Sequence, residues 1–506
     1  MSSISGGRPP KPSVGVPDAP APAHSLGEHA TQISEAALRP HFATLSREKD
    51  ASLALNIHLP FCPSRCLTCD RIAVVQQQAD DVTYYIVGLE RELAAASEAL
   101  GGRRRLARVH FGGGSPNHLS ELALATIFTH ISQHFDVDST THISMELNPR
   151  RTSRAQLNFL KGLGVGHIKL EVRDVDATVQ REIGRIHSLE LLEDVISIAR
   201  SVHFDSVGMD YLIGLPGQNI ESCEQSIEAI VSLAPDWLVC LPFHRREALF
   251  PHQIAVESQH MPSLADRMVM FNSLHTRLSE CDYEWVGLNL FAKPQHELAI
   301  AQREGALSLN VLGYGVTADL SVIGIGLGAL GELPGVVLQN QTDLRAWHQM
   351  VAAGSLSVTS AVASDDSETL QRKVMRDLMC RQDVAVSMVS APHRERFLSP
   401  LLAEGLVEEN SGYFRLTDTG RFILPHVWTD SSPAFRALAI SSRGPRYPHL
   451  NPTFPKTSLC CPERSTFHSS LSQGVNVAGS SSNHRSSASG WIHCHAEISL
   501  GLGEGS

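Results

Sequence analysis

A chain of 506 residues is long enough for two to four folding units at roughly 150 residues each, and it needs neither metal nor disulfide merely to hold a core. Its 42 basic and 53 acidic side chains give a formal charge of −11. No long single-sign block appears, which argues against non-specific nucleic-acid or anionic-membrane binding. No apolar run approaches the roughly 18 residues of a membrane span, no signal-peptide pattern opens the chain, and ten cysteines are too few for a disulfide scaffold. The expectation is a cytoplasmic protein with no membrane and no nucleic-acid partner.

Residues 1 to about 25 are Pro, Ala, Ser and Gly, a composition that buries too little apolar surface to order itself. From about residue 50 the pattern alternates. SLALNIHLP (52–60) reads as a buried strand and DDVTYYIVGLERELAAASEAL (80–100) as a helix. RVHFGGG (108–114), HISMELNP (142–149), HIKLEVRD (167–174), SVGMDYLIGLP (206–216) and DWLVCLPF (236–243) are further strands with helical stretches between them, and YEWVGLNLF (283–291) reads as one more. Strands separated by helices imply right-handed βαβ units and a parallel sheet. Beyond residue 300 the alternation stops. Residues 366–425 read as helices and then a hairpin across Asn410–Gly412, a winged-helix-like module without a dense basic recognition helix. The expected division is a mostly disordered arm over 1–45, an α/β barrel over 46–295, a C-terminal α+β domain over 296–428 and a disordered tail over 429–506.

Cys62-Pro-Ser-Arg-Cys66-Leu-Thr-Cys69 leaves the carboxyl end of the first strand. Three thiolates so spaced can wrap one face of a [4Fe–4S] cluster and leave one iron open to a non-protein ligand. The alternatives are a zinc site completed by His58, since structural zinc wants four protein ligands, or three buried thiols without metal. Gly112-Gly113-Gly114-Ser115-Pro116 ends the second strand, where missing side chains let a ligand approach backbone amides; a plain tight turn is the alternative. In a parallel sheet both loops emerge at the carboxyl edge, where such sheets bind ligands.

These residues resemble the radical S-adenosylmethionine (SAM) superfamily, and NIHLPFCPSRCLTC, VHFGGGSPNHL, ISMELNPR, MDYLIGLPGQ and ELAIAQREGALSLNVLGY resemble its oxygen-independent coproporphyrinogen III oxidase family. The related haem-chaperone subgroup carries a His-Asn-x-x-Tyr-Trp signature that Leu309-Asn310-Val311-Leu312-Gly313-Tyr314 lacks. The resemblance implies a partial (βα)6 barrel and a [4Fe–4S] cluster on Cys62, Cys66 and Cys69. It also implies SAM on the open iron, a flavodoxin- or ferredoxin-type electron donor, a monomer, and coproporphyrinogen III as the tetrapyrrole substrate. Two of its propionates would become vinyls through a 5′-deoxyadenosyl radical, with no protein side chain assigned as catalytic.

By the same resemblance Asn56, Gly113, Glu146 and Leu330 face the first SAM. Thr68, Gly114, Ser115, Arg173, Arg185, Asp210 and His244 fall at a second SAM position. Several of these depart from the family: Asn56 stands for a tyrosine, Thr68 for an aromatic residue, Arg173 for a glutamine, His244 for a small residue, and Arg71 for an additional cysteine. His244-Arg245-Arg246 is a candidate for pairing substrate carboxylates, with a solvated loop as its alternative. The departures at the second SAM position also motivate a paralogue opening or methylating another tetrapyrrole such as haem; a non-catalytic haem-binding or haem-delivery protein is a separate alternative, against which the missing His-Asn-x-x-Tyr-Trp signature counts.

Overall fold

Parallel strands are covered by helices on both faces, so they read as continuous apolar runs rather than alternating ones. The computed structural model, which describes residues 31–75, 79–247, 250–256, 260–363 and 366–421, shows this pattern. The chain begins with β1 (Thr31–Gln32) and α1 (Glu35–Arg47), then β2 (Leu53–Leu59), α2 (Ala79–Ala99), β3 (Arg108–Gly113), α3 (Glu121–His134), β4 (His142–Leu147) and α4 (Arg154–Gly162). Next come β5 (His167–Arg173), α5 (Ala177–Glu182), α6 (Leu189–Ser201), β6 (Ser206–Ile213), α7 (Ile220–Leu233), β7 (Trp237–Pro242) and α8 (Leu264–Glu280). Strands β2 to β7 pair in chain order, all parallel. This is the six-fold strand–helix alternation expected, with every carboxyl end on one edge. Every residue of β6 is buried. The crossover helices start on side-chain caps: Ser120, Ser153 and Ser188 for α3, α4 and α6, and capping boxes at Asn219 and Ser263 for α7 and α8.

The 283–291 segment is two strands rather than one. β8 (Glu284–Val286) and β9 (Leu290–Ala292) form an antiparallel pair, because Gly287 at φ 56° turns the chain between them.

Nothing divides at residue 295. After α9 (Glu297–Arg303) and the small hairpin of β10 (Ser308–Asn310) and β11 (Gly313–Gly315), β12 (Ser321–Ile325) pairs parallel with β2. β13 (Leu330–Leu333), β14 (Val336–Asn340) and, past α10 (Leu344–Ala352), β15 (Val358–Ala363) continue antiparallel, and β1 adds at the edge, giving one sheet of 13 strands. The boundary expected at 295 therefore falls inside a continuous sheet. The boundary expected at 45 is also too late: α1 is ordered and buries Leu38, Phe42 and Leu45 in the core. Residues 1–30 and the tail from 422 lie outside the described residues.

A buried polar seam fastens β12–β15 to the barrel. Glu92 on α2 accepts from the Gly326 amide (2.6 Å), Asn340 Nδ2 (3.0 Å) and Trp347 Nε1 (3.3 Å), and also from the Ser357 hydroxyl. The Tyr85 hydroxyl donates to the His58 carbonyl at 2.7 Å and accepts from the Leu327 amide at 2.8 Å. Beyond β15, α11 (Asp366–Arg381) leads into a three-stranded antiparallel sheet of β16 (Asp383–Ala385), β17 (Val407–Asn410) and β18 (Tyr413–Leu416) with its own apolar core. Among the described residues no helix is long and apolar enough to cross a membrane.

Candidate functional site

The carboxyl edge of β2 to β6 gathers most of the residues singled out in the sequence. The cysteine loop leaves β2 and folds back on itself: the Cys62 amide donates to the Val74 carbonyl (3.0 Å), the Cys69 amide to the Cys66 carbonyl (3.2 Å), and the Leu67 amide to the Ile183 carbonyl (3.1 Å). All three cysteines are half-buried. Burial, with Glu171 nearby, raises the Cys62 thiol above its ordinary value, and burial, with Asp70 next to it, pushes Cys69 up to about 12. These are thiols whose ionisation calls for a strong Lewis acid.

His58, the nearest fourth ligand the sequence offered for zinc, has its Nε2 3.1 Å from the Ile72 carbonyl. Three thiols on one loop suit a [4Fe–4S] cluster that leaves one iron open to a non-protein ligand.

The glycine turn is shaped by contact with this loop. The Gly114 amide donates to the Leu59 carbonyl (2.7 Å) and the Ser115 amide to the Phe61 carbonyl (2.9 Å). A Cβ on Gly114 would lie 2.6 Å from the Phe61 oxygen, and one on Gly113, at φ 103°, 2.5 Å from the His58 ring. Ser115 is buried with its hydroxyl 3.9 Å from Cys62 Sγ. Replacing Gly114 by alanine should push the cysteine loop off the sheet, lowering stability by about 1–3 kcal/mol and lowering iron occupancy after reconstitution, as checked by denaturation and iron assay.

Glu146, the penultimate residue of β4, is buried. It pairs with Arg71 and Lys169, both at very short contacts, and stands 4.0 Å from His110 Nε2. Burial works against its charge, but Arg71, Lys169 and His110 outweigh it and hold the carboxyl well below the usual carboxylate range. His110 is itself driven to about 3 by burial, with Arg108, Lys169 and Arg71 overriding Glu146. Asn56 Nδ2 donates to the Leu330 carbonyl at 2.9 Å, so two expected contacts of one ligand already meet across 274 residues of chain.

The other expected positions cluster one strand further on. Arg173 Nη2 is 3.1 Å from Glu171 Oε1, and its Nη1 is 3.0 Å from Asp210 Oδ2 as an ion pair outside hydrogen-bonding geometry. Asp210 Oδ1 accepts from the Val172 and Arg173 amides at 2.8 and 3.0 Å. Arg185 donates to the Glu171 carbonyl at 2.6 Å and lies 3.5 Å from Cys66 Sγ. Thr68 is buried and His244 half-buried.

The cationic run is not a solvated loop. Arg246 lies 3.7 Å from Asp70 and Arg245 2.6 Å from Glu247. Gln253, which accepts from the Arg246 amide at 2.6 Å, donates to the Cys69 carbonyl at 3.1 Å. The run clamps the cysteine loop.

Sequence reasoning missed Lys169, Glu171 and a cavity of about 470 Å³ inside the barrel, lined by Glu146, Lys169, His110, His142 and Arg108 among others. The signal for the first two was present: Lys169, Glu171 and Arg173 occupy alternate positions of β5, which places three charges on one face of a strand.

Residues 56–230 match the Radical SAM superfamily. Relatives named oxygen-independent coproporphyrinogen III oxidase include those of Salmonella typhimurium and Escherichia coli strain K12. Each is 26% identical over 393 residues, covering 76% of this chain and 86% of the relative. That of Helicobacter pylori strain 26695 is 28% identical over 386 residues, covering 74% and 84%. The solved coproporphyrinogen III oxidase of Escherichia coli, described as a radical SAM enzyme, superposes with a TM-score of 0.72 at 26% identity over 77% of this chain and 92% of that one. With a Radical SAM match over residues 56–230 and a cysteine loop, a glycine turn and a buried carboxylate on one edge of its parallel strands, the chain is similar over about three quarters of its length to the oxygen-independent coproporphyrinogen III oxidases.

Proposed function

We propose that this chain carries out the oxygen-independent oxidative decarboxylation of coproporphyrinogen III to protoporphyrinogen IX in haem synthesis. The observation that carries the reading is the three-cysteine loop held at the carboxyl edge beside Glu146, a carboxylate that also lines the barrel cavity. Cys62, Cys66 and Cys69 would hold a [4Fe–4S] cluster, and Asn56, Gly113, Glu146 and Leu330 would hold SAM against it. When bound and reduced by a flavodoxin- or ferredoxin-type donor, that pair supplies a carbon-centred radical able to take a hydrogen atom from a propionate. The propionate radical left behind would become a vinyl group by releasing carbon dioxide and passing one electron to an external one-electron acceptor.

The chain's own work is positioning and exclusion. Glu146, kept ionised by Arg71 and Lys169, places a fixed carboxylate at the cavity lining, and a ligand ammonium would share it with those two cations. Arg108 lines the cavity with its Nε buried and without a hydrogen-bond partner, which suits it to a substrate carboxylate. Arg245 and Arg246 are spent on Glu247 and Asp70 and are set aside for that role.

The test is anaerobic incubation of reconstituted protein with coproporphyrinogen III, SAM and reductant. Protoporphyrinogen IX is expected, and SAM cleavage with no vinyl product would refute the assignment. The charged Arg71 and Arg173 in the site favour one second reading, the same cofactors acting on another tetrapyrrole, which predicts that second outcome.

A further inference from the structure

The charged residues at the carboxyl edge are not distributed evenly between the two places expected for SAM. Glu146 borders the open cavity. Glu171 does not. Its carboxylate is 3.1 Å from Arg173, 3.6 Å from Arg185 and 3.8 Å from Arg71, with the side chain only 4% exposed. Asp210, wholly buried, is consumed by two backbone amides and Arg173. Arg185 is consumed by the Glu171 carbonyl and Cys66 Sγ.

The donors and acceptors that would greet a second SAM are therefore directed at one another. Of the residues expected at the two SAM places, Glu146 alone lines the cavity. Charge works in the same direction. SAM carries an ammonium, a sulfonium and a carboxylate, a net charge of +1, and the acids at this place already answer Arg71, Arg173 and Arg185. A ligand entering here would have to part buried ion pairs and leave cations exposed to its own positive charge. Arg71 bridges Glu146 and Glu171 and so ties the two acids together.

We propose that this chain holds a single SAM, and that Glu171, by gathering Arg71, Arg173 and Arg185, is the positioning residue that closes the second place. The proposal rests on the radical SAM reading of the first place, and one experiment separates the two. Equilibrium dialysis with radiolabelled SAM on the anaerobically reconstituted full chain, alongside an iron assay, counts SAM per chain. One per wild-type chain is expected. Two would overturn the proposal and leave the radical SAM reading standing, and none would overturn both. The charge-neutral double variant Glu171→Ala with Arg173→Gln removes the hub and one of its cations together. It should rise toward two SAM per chain at unchanged iron content, and a count fixed at one with iron retained would overturn the assignment to these residues. If the double variant does not fold, the wild-type count alone decides.

Discussion

Serine at position 66 in place of Cys66 is expected to cost the protein its iron and its activity together. A hydroxyl is a far poorer iron ligand than a thiolate, and three cysteines leave no spare corner to compensate. Turnover should fall by a factor on the order of 10³ or more, equivalent to about 4 kcal/mol at ~1.4 kcal/mol per decade. The broad absorption near 400 nm should vanish with it, and iron should drop from about 4 per chain toward none. Cys281→Ser is the control. Cys281 is equally half-buried but follows α8, outside the loop, and its replacement should leave iron and turnover unchanged. A Cys66→Ser protein that retained a full cluster and turned over normally would remove the loop from the chemistry.

Glu92→Ala is expected to have the largest effect on stability. Removing its carboxylate leaves the Gly326 amide, Asn340 Nδ2, Trp347 Nε1 and the Ser357 hydroxyl short of an acceptor in a buried seam. At about 1–3 kcal/mol for each buried unsatisfied group, with partial relaxation, the loss should reach about 4 kcal/mol or more. Burial raises the Glu92 carboxyl to about 7, against the lowering by Ser357, Gly326 and Trp347. Its pH signature follows with a definite sign. Between the ordinary glutamate value of 4.5 and about 7, the folded protein keeps a proton that the unfolded chain has lost. Stability from this group is therefore fully present below 4.5 and is lost as pH rises through 7, by about 3 kcal/mol in all. Glu92→Gln, which cannot titrate, should flatten that slope, and urea unfolding at about pH 5 and about pH 8 compares the two proteins. A slope that survives in Glu92→Gln would point to another group.

The parallel core was legible because buried parallel strands leave unbroken apolar runs closed by glycine or proline, as in SVGMDYLIGLP. The cysteine loop was legible because ligand spacing is local. What escaped was non-local or weakly patterned. β12 pairs with β2 across more than 250 residues, and no local period announces such a partnership, so the barrel was expected to end too early. Helix α1 carries Pro40 and only three buried side chains, too faint a stripe to stand out from the polar arm before it. Lys169 and Glu171 were hidden differently. Read one residue at a time they are charges inside a strand, and only the alternation with Arg173 shows a buried ionic face. His244-Arg245-Arg246 looked free because its partners Asp70 and Gln253 come from elsewhere in the chain.

The most direct test of the whole account follows one hydrogen atom. Coproporphyrinogen III deuterated on its propionate side chains should be supplied anaerobically with SAM and reductant, and the 5′-deoxyadenosine formed should be analysed by mass spectrometry. Deuterium in that nucleoside, accompanied by vinyl product, is the result predicted. Nucleoside free of deuterium, or none formed while the cluster is intact, would contradict it.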